Sequence, residues 1–188
     1  MSQAELLTAV LRALDAAGVA HMVTGSLASS LHGEPRSTHG IDLVIDLDAD
    51  RLDALLASFP APRYYLSPEA AREAVRSDGM FNLIDAEEGD KVDFWLLTED
   101  PFDRSRFARR YEEQVLGIRM HVSTPEDTIL QKLKWSRLGG GSARAYTDAL
   151  RVFEVQQGRL DIEYLERWVE SLGIGDLWTR LRSEAEPI

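Results

Sequence analysis

The chain has 188 residues, of which 28% are charged and 44% hydrophobic, and it carries a formal net charge of −11 at pH 7. This composition is typical of a soluble globular domain, and the negative charge argues against broad, nonspecific binding of nucleic acid. The absence of cysteine excludes disulfides and thiolate metal sites. No segment reaches the roughly 18 apolar residues of a membrane span. Because residues 1–5 lack the basic start of a signal peptide, we expect a cytoplasmic protein that does not bind membranes.

The N-terminal segment predicts a helix, a strand and a turn into a second helix. Leucine and valine recur at helical spacing over residues 3–17, which predicts an amphipathic helix. Residues 19–23 suit a short buried strand. Gly25 and Ser26 then turn the chain into a short helix of small residues over 27–31. Because glycine lets a backbone approach a ligand and a helix N-terminus offers N–H donors, this turn is a candidate phosphate-binding element.

Residues 41–47 predict a second strand, because every second residue from Ile41 to Leu47 is apolar, with Asp42, Val44 and Asp46 between them. This alternation places Asp42 on the face opposite the apolar set. An aspartate at such a position is often only solvated, so Asp42 alone is weak support for a site. Two amphipathic helices are expected to follow, the first capped by Asp48 or Asp50 and the second beginning at Pro68.

A hairpin is predicted in the middle of the chain, from strands over residues 80–86 and 91–97 that are joined by a tight acidic turn. Asp93 lies among apolar neighbours in the second of these strands. A carboxylate in such surroundings costs solvation free energy unless it is paired or bound to a metal, which makes Asp93 a more informative candidate than Asp42. The last predicted strand covers residues 118–122.

The pattern changes at residue 123, after which only helices are predicted. Thr124 can cap the first of them, and Pro125 occupies its first position. The predicted C-terminal helices cover 125–138, 144–157, 161–172 and 174–184. We therefore predict two domains, an α/β core over residues 1–122 and a helical subdomain over 123–188.

The pair Asp42 and Asp93 has the chemistry of a metal–nucleotide site. Phosphoryl and nucleotidyl transfer require little covalent chemistry from a protein, but they require phosphates to be aligned and their charge neutralised, commonly by metal ions. Mg²⁺ prefers carboxylate oxygens, with phosphates and waters completing its shell. Two carboxylates on neighbouring strands, beside a Gly-Ser turn that opens a helix, therefore predict a site for Mg²⁺ and a nucleotide.

Four motifs carry a resemblance to a known family, and they are Gly25-Ser26, Ile41-Asp42-Leu43-Val44, Val92-Asp93-Phe94 and the helix from Pro125 to Lys132. By these motifs the chain resembles the nucleotidyltransferase-like family that includes bacterial AbiEii-type toxins and polymerase-β-like enzymes. The resemblance covers nearly the whole length of the chain. The resemblance implies an α+β fold with a mixed β-sheet flanked by helices and a C-terminal helical part. It also implies Mg²⁺-dependent transfer of a nucleoside monophosphate from a nucleoside triphosphate (NTP).

The resemblance assigns Asp42 and Asp93 to catalysis and to metal binding. It assigns the triphosphate to Gly25 and Ser26. Lys132 is expected to contact a phosphate, and Asp148, on the following helix, is expected to support the site.

Two basic residues near these motifs have simpler alternative interpretations. Arg36 lies in the loop before the strand and could meet a phosphate, but it could equally be a solvated turn residue. Lys132 flanks an apolar stripe and could simply cover the edge of the core with its aliphatic stem.

Gly40 departs from the family pattern, in which the first strand carries Asp-x-Asp. A glycine inside a strand weakens it and packs nothing, so the residue has no evident structural merit. Three explanations stay open: loss of full metal binding, an inactivating substitution, or compensation by another group. Neither neighbour is a suitable replacement, because Asp46 lies about 13 Å from Asp42 along the strand and His39 is expected on the opposite face.

Our leading functional hypothesis is a nucleotidyltransferase whose hydroxyl acceptor is RNA, a protein or a small molecule. A toxin-like role would imply an antitoxin protein as partner. The alternative is a catalytically degenerate member of the fold that binds a nucleotide or a protein partner, so enzymatic activity is left open. A third hypothesis is an interaction module built on the C-terminal helices.

Overall fold

The structure is a computed structural model that describes residues 2–37, 40–139 and 142–186. The described residues divide into two compact units. Unit 1 contains the described residues up to Thr24 and those from Gly40 to Val122. Unit 2 contains Gly25–Ser37 and the described residues from Ser123 onward. The domain boundary that the sequence predicts between residues 122 and 123 stays a prediction.

The seven strands of the described residues all lie in unit 1 and form one sheet. In chain order they are β1 (Ala20–Thr24), β2 (Gly40–Asp46), β3 (Tyr64–Leu66), β4 (Met80–Asp85), β5 (Lys91–Leu96), β6 (Tyr111–Val115) and β7 (Ile118–Val122). Their order across the sheet is β3-β4-β5-β2-β1-β7-β6. The pairs β2–β5 and β1–β7 are parallel, and the other neighbouring pairs are antiparallel. The predicted α+β fold with a mixed sheet is confirmed.

The described residues also form nine α-helices. They are α1 (Gln3–Ala16), α2 (Gly25–His32), α3 (Ala49–Ala57), α4 (Pro68–Ser77), α5 (Pro101–Ala108), α6 (Pro125–Leu138), α7 (Ala143–Val155), α8 (Ile162–Ser171) and α9 (Gly175–Glu184). Helices α2 and α6–α9 belong to unit 2, and the others belong to unit 1. Among the described residues, no helix is both long and apolar enough to cross a membrane.

The core of unit 1 follows from the alternation along its strands. In β2 the apolar side chains of Ile41, Leu43 and Ile45 are almost completely buried. In β5 the same is true of Val92 and Phe94. Each such side chain contributes about 1.5–3 kcal/mol when it is removed from water, so this face of the sheet is specified strongly. The opposite face carries Asp42 and Asp93 and, further along the same strands, the buried Val44 and the partly buried Trp95. We call the part of this face around the two carboxylates the polar face.

In unit 2, α2 packs against α6 and α7, and contacts between side chains and backbone carbonyl groups fix it there. The His32 ring nitrogen Nε2 lies 2.7 Å from the carbonyl oxygen of Ser123. The side chain of Gln156 donates a 2.8 Å hydrogen bond to the carbonyl oxygen of His32. Gly33 permits the close approach, because a Cβ there would lie 2.9 Å from the backbone nitrogen of Val152. The C-terminal end of α2 is thus anchored, which orients the residues at its N-terminus.

Strands β3 and β6 are absent from the sequence-based prediction. Strand β3 has three residues and pairs only with β4, and β6 reads Tyr-Glu-Glu-Gln-Val with no buried residue. Both are edge strands, whose side chains need not alternate between core and solvent. Hydrophobic periodicity, which identifies the central strands, carries no signal for them.

Candidate functional site

Asp42 and Asp93 are neighbours on two parallel strands. The register of β2 and β5 pairs Asp42 with Asp93 directly. Paired residues project from the same face, and adjacent strands lie about 4.8 Å apart. The two carboxylates therefore stand side by side on the polar face of the sheet, as the sequence predicts for them. Their roles in catalysis and metal binding stay predictions.

A polar row extends from this pair to the strands on either side. Thr24 pairs with Asp42, and Asn82 pairs with Asp93. The row Thr24, Asp42, Asp93, Asn82 thus crosses four adjacent strands on one face. Sequence reasoning missed Thr24 and Asn82, because neither residue is unusual until the register is known.

The two oxygens of Asp93 differ in their surroundings. Oδ2 lies 3.0 Å from the Nζ atom of Lys91, and the Asp93 side chain is only 15% exposed. Oδ1 is buried and has no hydrogen-bond partner within the part of the chain that the structure describes. A buried carboxylate oxygen without a donor costs free energy and is the kind of atom that a ligand or cation satisfies.

Gly40 pairs in register with Lys91, on the same face as the carboxylates. A Cβ added to Gly40 would meet no atom of the described residues within 4 Å. The described residues therefore leave room for a side chain at position 40, and no steric contact with them requires glycine there. The position where the family carries its first aspartate faces a lysine on the adjacent strand.

The described residues do not fit a magnesium site with three carboxylates. No group of three or more histidine, aspartate or glutamate side chains among them could hold a metal ion. Asp93 forms an ion pair with the ammonium group of Lys91, which repels a second cation. His39, which the sequence does not favour as a replacement ligand, lies outside the described residues, and Asp46, also not favoured, is exposed at the end of β2.

A second polar cluster lies in unit 2 and is centred on Asp148. Its carboxylate accepts 2.8 Å hydrogen bonds from both Nε and a terminal nitrogen of Arg36. It also accepts a 2.6 Å hydrogen bond from Nζ of Lys132. The same terminal nitrogen of Arg36 donates to Oγ of Ser26 at 2.8 Å. We call Ser26, Arg36, Lys132 and Asp148 the cation cluster; the sequence analysis selected all four of these residues.

Secondary structure explains how these four residues meet. Ser26 lies in the first turn of α2, and Arg36 lies in the loop that follows this helix. Lys132 is on α6, and Asp148 is on α7. Gly25, the first residue of α2, has a φ angle of +65°, in the left-handed region that favours glycine. The turn into α2 therefore needs glycine immediately before the serine.

The cation cluster is tightly coupled electrostatically. Burial raises the pKa of Asp148, but the hydrogen bonds from Arg36 and Lys132 outweigh this effect and leave the pKa lowered. The hydrogen bonds to Asp148 raise the pKa of Arg36. The Lys132 side chain is only 12% exposed, so it is not a solvated lysine at the edge of the core. With one carboxylate for two cations, the cluster has a formal charge of +1 and can attract an anion.

Comparisons with known proteins indicate the fold. No protein-family model matches the sequence, and no curated protein sequence is similar to it. Among solved structures, an antigenic nucleotidyltransferase-like protein from Paracoccidioides brasiliensis is 17% identical, with a TM-score of 0.55 over 96% of this chain and 93% of that chain. The antibiotic-resistance factor ANT(2'')-Ia, in complex with adenylyl-2''-tobramycin, is 16% identical, with a TM-score of 0.51 over 97% of this chain and 98% of that chain.

A third solved structure, the lincosamide antibiotic adenylyltransferase LnuA bound to lincomycin, is 13% identical. Its TM-score is 0.54, over 82% of this chain and 98% of that chain. At these identities the likeness shows a nucleotidyltransferase-like fold. The finer resemblance to AbiEii-type toxins stays a prediction.

Proposed function

We propose that this chain binds a nucleoside triphosphate and transfers its nucleoside monophosphate to a hydroxyl acceptor. The observation that carries the proposal is the register of β2 and β5, which pairs Asp42 with Asp93 on the polar face of a nucleotidyltransferase-like sheet. The cation cluster supports it, because a net positive group of Ser, Arg and Lys side chains has the chemistry of a phosphate-binding site.

In the proposed reaction the acceptor oxygen forms a bond to the α-phosphorus of the NTP. The bond from the α-phosphorus to the bridging oxygen of the β-phosphate breaks, and pyrophosphate leaves. One carboxylate of the pair, Asp42 or Asp93, accepts the proton of the acceptor hydroxyl, and the other orients its oxygen for attack. Such assistance requires a carboxylate oxygen that no donor of the chain occupies, and Oδ1 of Asp93, although buried, has no hydrogen-bond partner among the described residues.

The cation cluster binds the phosphate tail in this proposal. Lys132 and Arg36 neutralise the charge of the β- and γ-phosphates, and the hydroxyl of Ser26 donates a hydrogen bond to one of them. Gly25 allows the phosphates to approach the backbone at the start of α2. Asp148 positions the two cations and limits their net charge, so that pyrophosphate can still dissociate.

Mg²⁺ is the cofactor that the family resemblance implies, with Asp42 and Asp93 as its ligands. When bound, it would neutralise phosphate charge during transfer. Because Gly40 stands where the resemblance implies a carboxylate, and Lys91 forms an ion pair with Asp93, the described residues do not provide a three-carboxylate magnesium site.

A small molecule is the acceptor class that we favour over RNA or a protein. One of the similar structures is a lincosamide antibiotic adenylyltransferase, and another is a complex with adenylyl-2''-tobramycin. The net charge of −11 also disfavours a large polyanionic acceptor. A toxin role with an antitoxin partner and a cytoplasmic location remain predictions from the sequence.

The alternative function is nucleotide binding without transfer. The pairing of Gly40 with Lys91 favours it, because it removes one carboxylate and places a cation beside another. A degenerate protein of this kind would keep the cation cluster and lose the chemistry of the carboxylate pair.

Pyrophosphate release tests the two functions against each other. The chain is incubated with each of the four NTPs and Mg²⁺, together with RNA, proteins or hydroxylated small molecules. Pyrophosphate release is measured, and adducts are detected by mass spectrometry. Transfer by the wild type should be lost in Asp93→Asn and retained in Asp46→Asn, which changes an exposed carboxylate of β2. Nucleotide binding without any transfer would support the degenerate alternative. A wild type that binds none of the four NTPs would contradict both.

A further inference from the structure

Lys91 is the residue whose position the family resemblance does not account for. Its Nζ atom lies 3.0 Å from Oδ2 of Asp93, two residues along the same strand. Residues two apart in a strand share a face, so Lys91 belongs to the polar face that carries the carboxylate pair. Its partner across the strand pair is Gly40.

The register places four residues at the corners of one block on this face. Gly40 and Asp42 occupy β2, and Lys91 and Asp93 occupy the matching positions of β5. With the aspartate that the resemblance implies at position 40, the block would carry three carboxylates and the Lys91 ammonium, for a formal charge of −2. This block carries two carboxylates and one ammonium, for a charge of −1. The missing carboxylate weakens the attraction of the block for a divalent cation, and the ammonium group of Lys91 already supplies a positive charge beside Asp93.

Lys91 has donors to offer an anionic ligand. An ammonium group carries three N–H donors, and the ion pair with Asp93 occupies one side of it. Its side chain is 42% exposed, so the group is accessible from solvent. Beside it, the space that a Cβ of residue 40 would fill contains no atom of the described residues within 4 Å. A phosphate oxygen can therefore approach the ammonium without displacing a side chain at position 40.

We propose that the ammonium group of Lys91 binds the phosphate of the nucleotide in place of a resident divalent cation, so that this chain binds NTP without added metal. The inference rests on the proposed function, because it assumes that the carboxylate face receives the nucleotide. It also gives a reason for Gly40, because a third carboxylate at this position would compete with the phosphate for Lys91. Compensation by another group is thus the explanation of Gly40 that the geometry supports.

Calorimetric titration of the full chain with each NTP, once in excess EDTA and once in excess Mg²⁺, tests this inference. For the wild type, the dissociation constants in the two buffers should agree within about threefold, which corresponds to less than one hydrogen bond. Lys91→Met keeps the aliphatic stem and removes the charge, and it should weaken binding in EDTA about tenfold to a hundredfold, as expected for one charge-assisted hydrogen bond. Arg119→Met serves as the control, because it removes an exposed cation of the same unit.

A double variant, Gly40→Asp with Lys91→Met, rebuilds the three-carboxylate set. We expect it to bind Mn²⁺ in the absence of nucleotide, measured by electron paramagnetic resonance, whereas the wild type should show no such binding. Its NTP binding should become dependent on metal. This readout does not require catalytic activity.

The outcomes separate the inference from the proposed function. If the wild type binds NTP only when Mg²⁺ is present, or if Lys91→Met binds NTP in EDTA as tightly as the wild type, the inference is overturned and the proposed function survives. If neither the wild type nor the double variant binds any NTP in either buffer, the proposed function fails, and the inference fails with it. The comparison of buffers on the wild type needs no variant to fold.

Discussion

Replacement of Asp148 by asparagine perturbs the cation cluster at its centre. The carboxylate is 8% exposed and accepts hydrogen bonds from Arg36 and Lys132. Removing one partner of a fully buried ion pair costs about 3–5 kcal/mol, because the remaining charge is left uncompensated. Arg36 is 26% exposed and can be partly rehydrated, and asparagine can still accept one hydrogen bond. We therefore expect a loss of about 2–3 kcal/mol in the free energy of unfolding.

Urea unfolding followed by circular dichroism measures this loss, and hydrogen exchange of the amides in α7 locates it. The control is Glu166→Gln, which removes a carboxylate that accepts a 3.2 Å hydrogen bond from Arg182 between two half-exposed side chains of the same unit. Exposed pairs contribute little, so the control should change the free energy of unfolding by no more than about 0.5 kcal/mol.

The effect of Asp148→Asn on the free energy of unfolding should depend on pH. The pKa of folded Asp148 is lowered, so its ionised form stabilises the fold at pH values above the ordinary aspartate range. This contribution is lost as the pH falls through the lowered pKa of the folded state. The difference between the wild type and Asp148→Asn should therefore be constant near neutrality and shrink below about pH 4. A cost equal to that of the Glu166 control, or a difference that does not shrink in acid, would refute the role given to this carboxylate.

Three further predictions concern single residues, Gly40 in unit 1 and Gly33 and Tyr146 in unit 2. Gly40→Asp should fold with a melting temperature close to that of the wild type, because a Cβ there meets no described atom within 4 Å; a large drop would show that glycine is required. Gly33→Ala should cost about 1–3 kcal/mol in urea unfolding, because its Cβ would lie 2.9 Å from the backbone nitrogen of Val152; an unchanged midpoint would contradict the close approach. Burial, with a hydrogen bond to Glu184, raises the pKa of Tyr146 to about 12. Ultraviolet titration should therefore show one phenol ionising near pH 12, and this step should vanish in Tyr146→Phe; its persistence in the variant would assign it to another tyrosine.

Most of the helices and the central strands could be predicted because their signals are local, whereas α5 (Pro101–Ala108) is absent from the sequence-based prediction. Apolar residues at helical spacing identify α1, and the Thr124-Pro125 start identifies α6, where Thr124 accepts the capping hydrogen bond from the backbone of Asp127. Alternation identifies β2 and its polar residue Asp42. These signals need only a few consecutive residues, so one sequence contains them.

The geometry of the site could not be predicted in the same way, because it depends on register and on long-range pairing. Arg36 and Asp148 meet although they are 112 positions apart in the chain, and no local pattern links them. Lys91 shares a face with Asp93 by simple alternation, which the sequence does show. That Lys91 also stands beside Gly40 follows only from the parallel pairing of β2 and β5. For this reason the missing carboxylate could be noticed in the sequence, whereas its compensation could not.

The comparison of a triphosphate with a monophosphate tests the central claim most directly. In calorimetric titrations with an NTP and with the monophosphate of the same nucleoside, the wild type should bind the triphosphate at least about tenfold more tightly, because the cation cluster recognises the phosphate tail. Lys132→Met should lose most of this advantage. If no triphosphate binds, or if the β- and γ-phosphates add nothing to the affinity, the account of this chain as a nucleotide-binding protein is wrong.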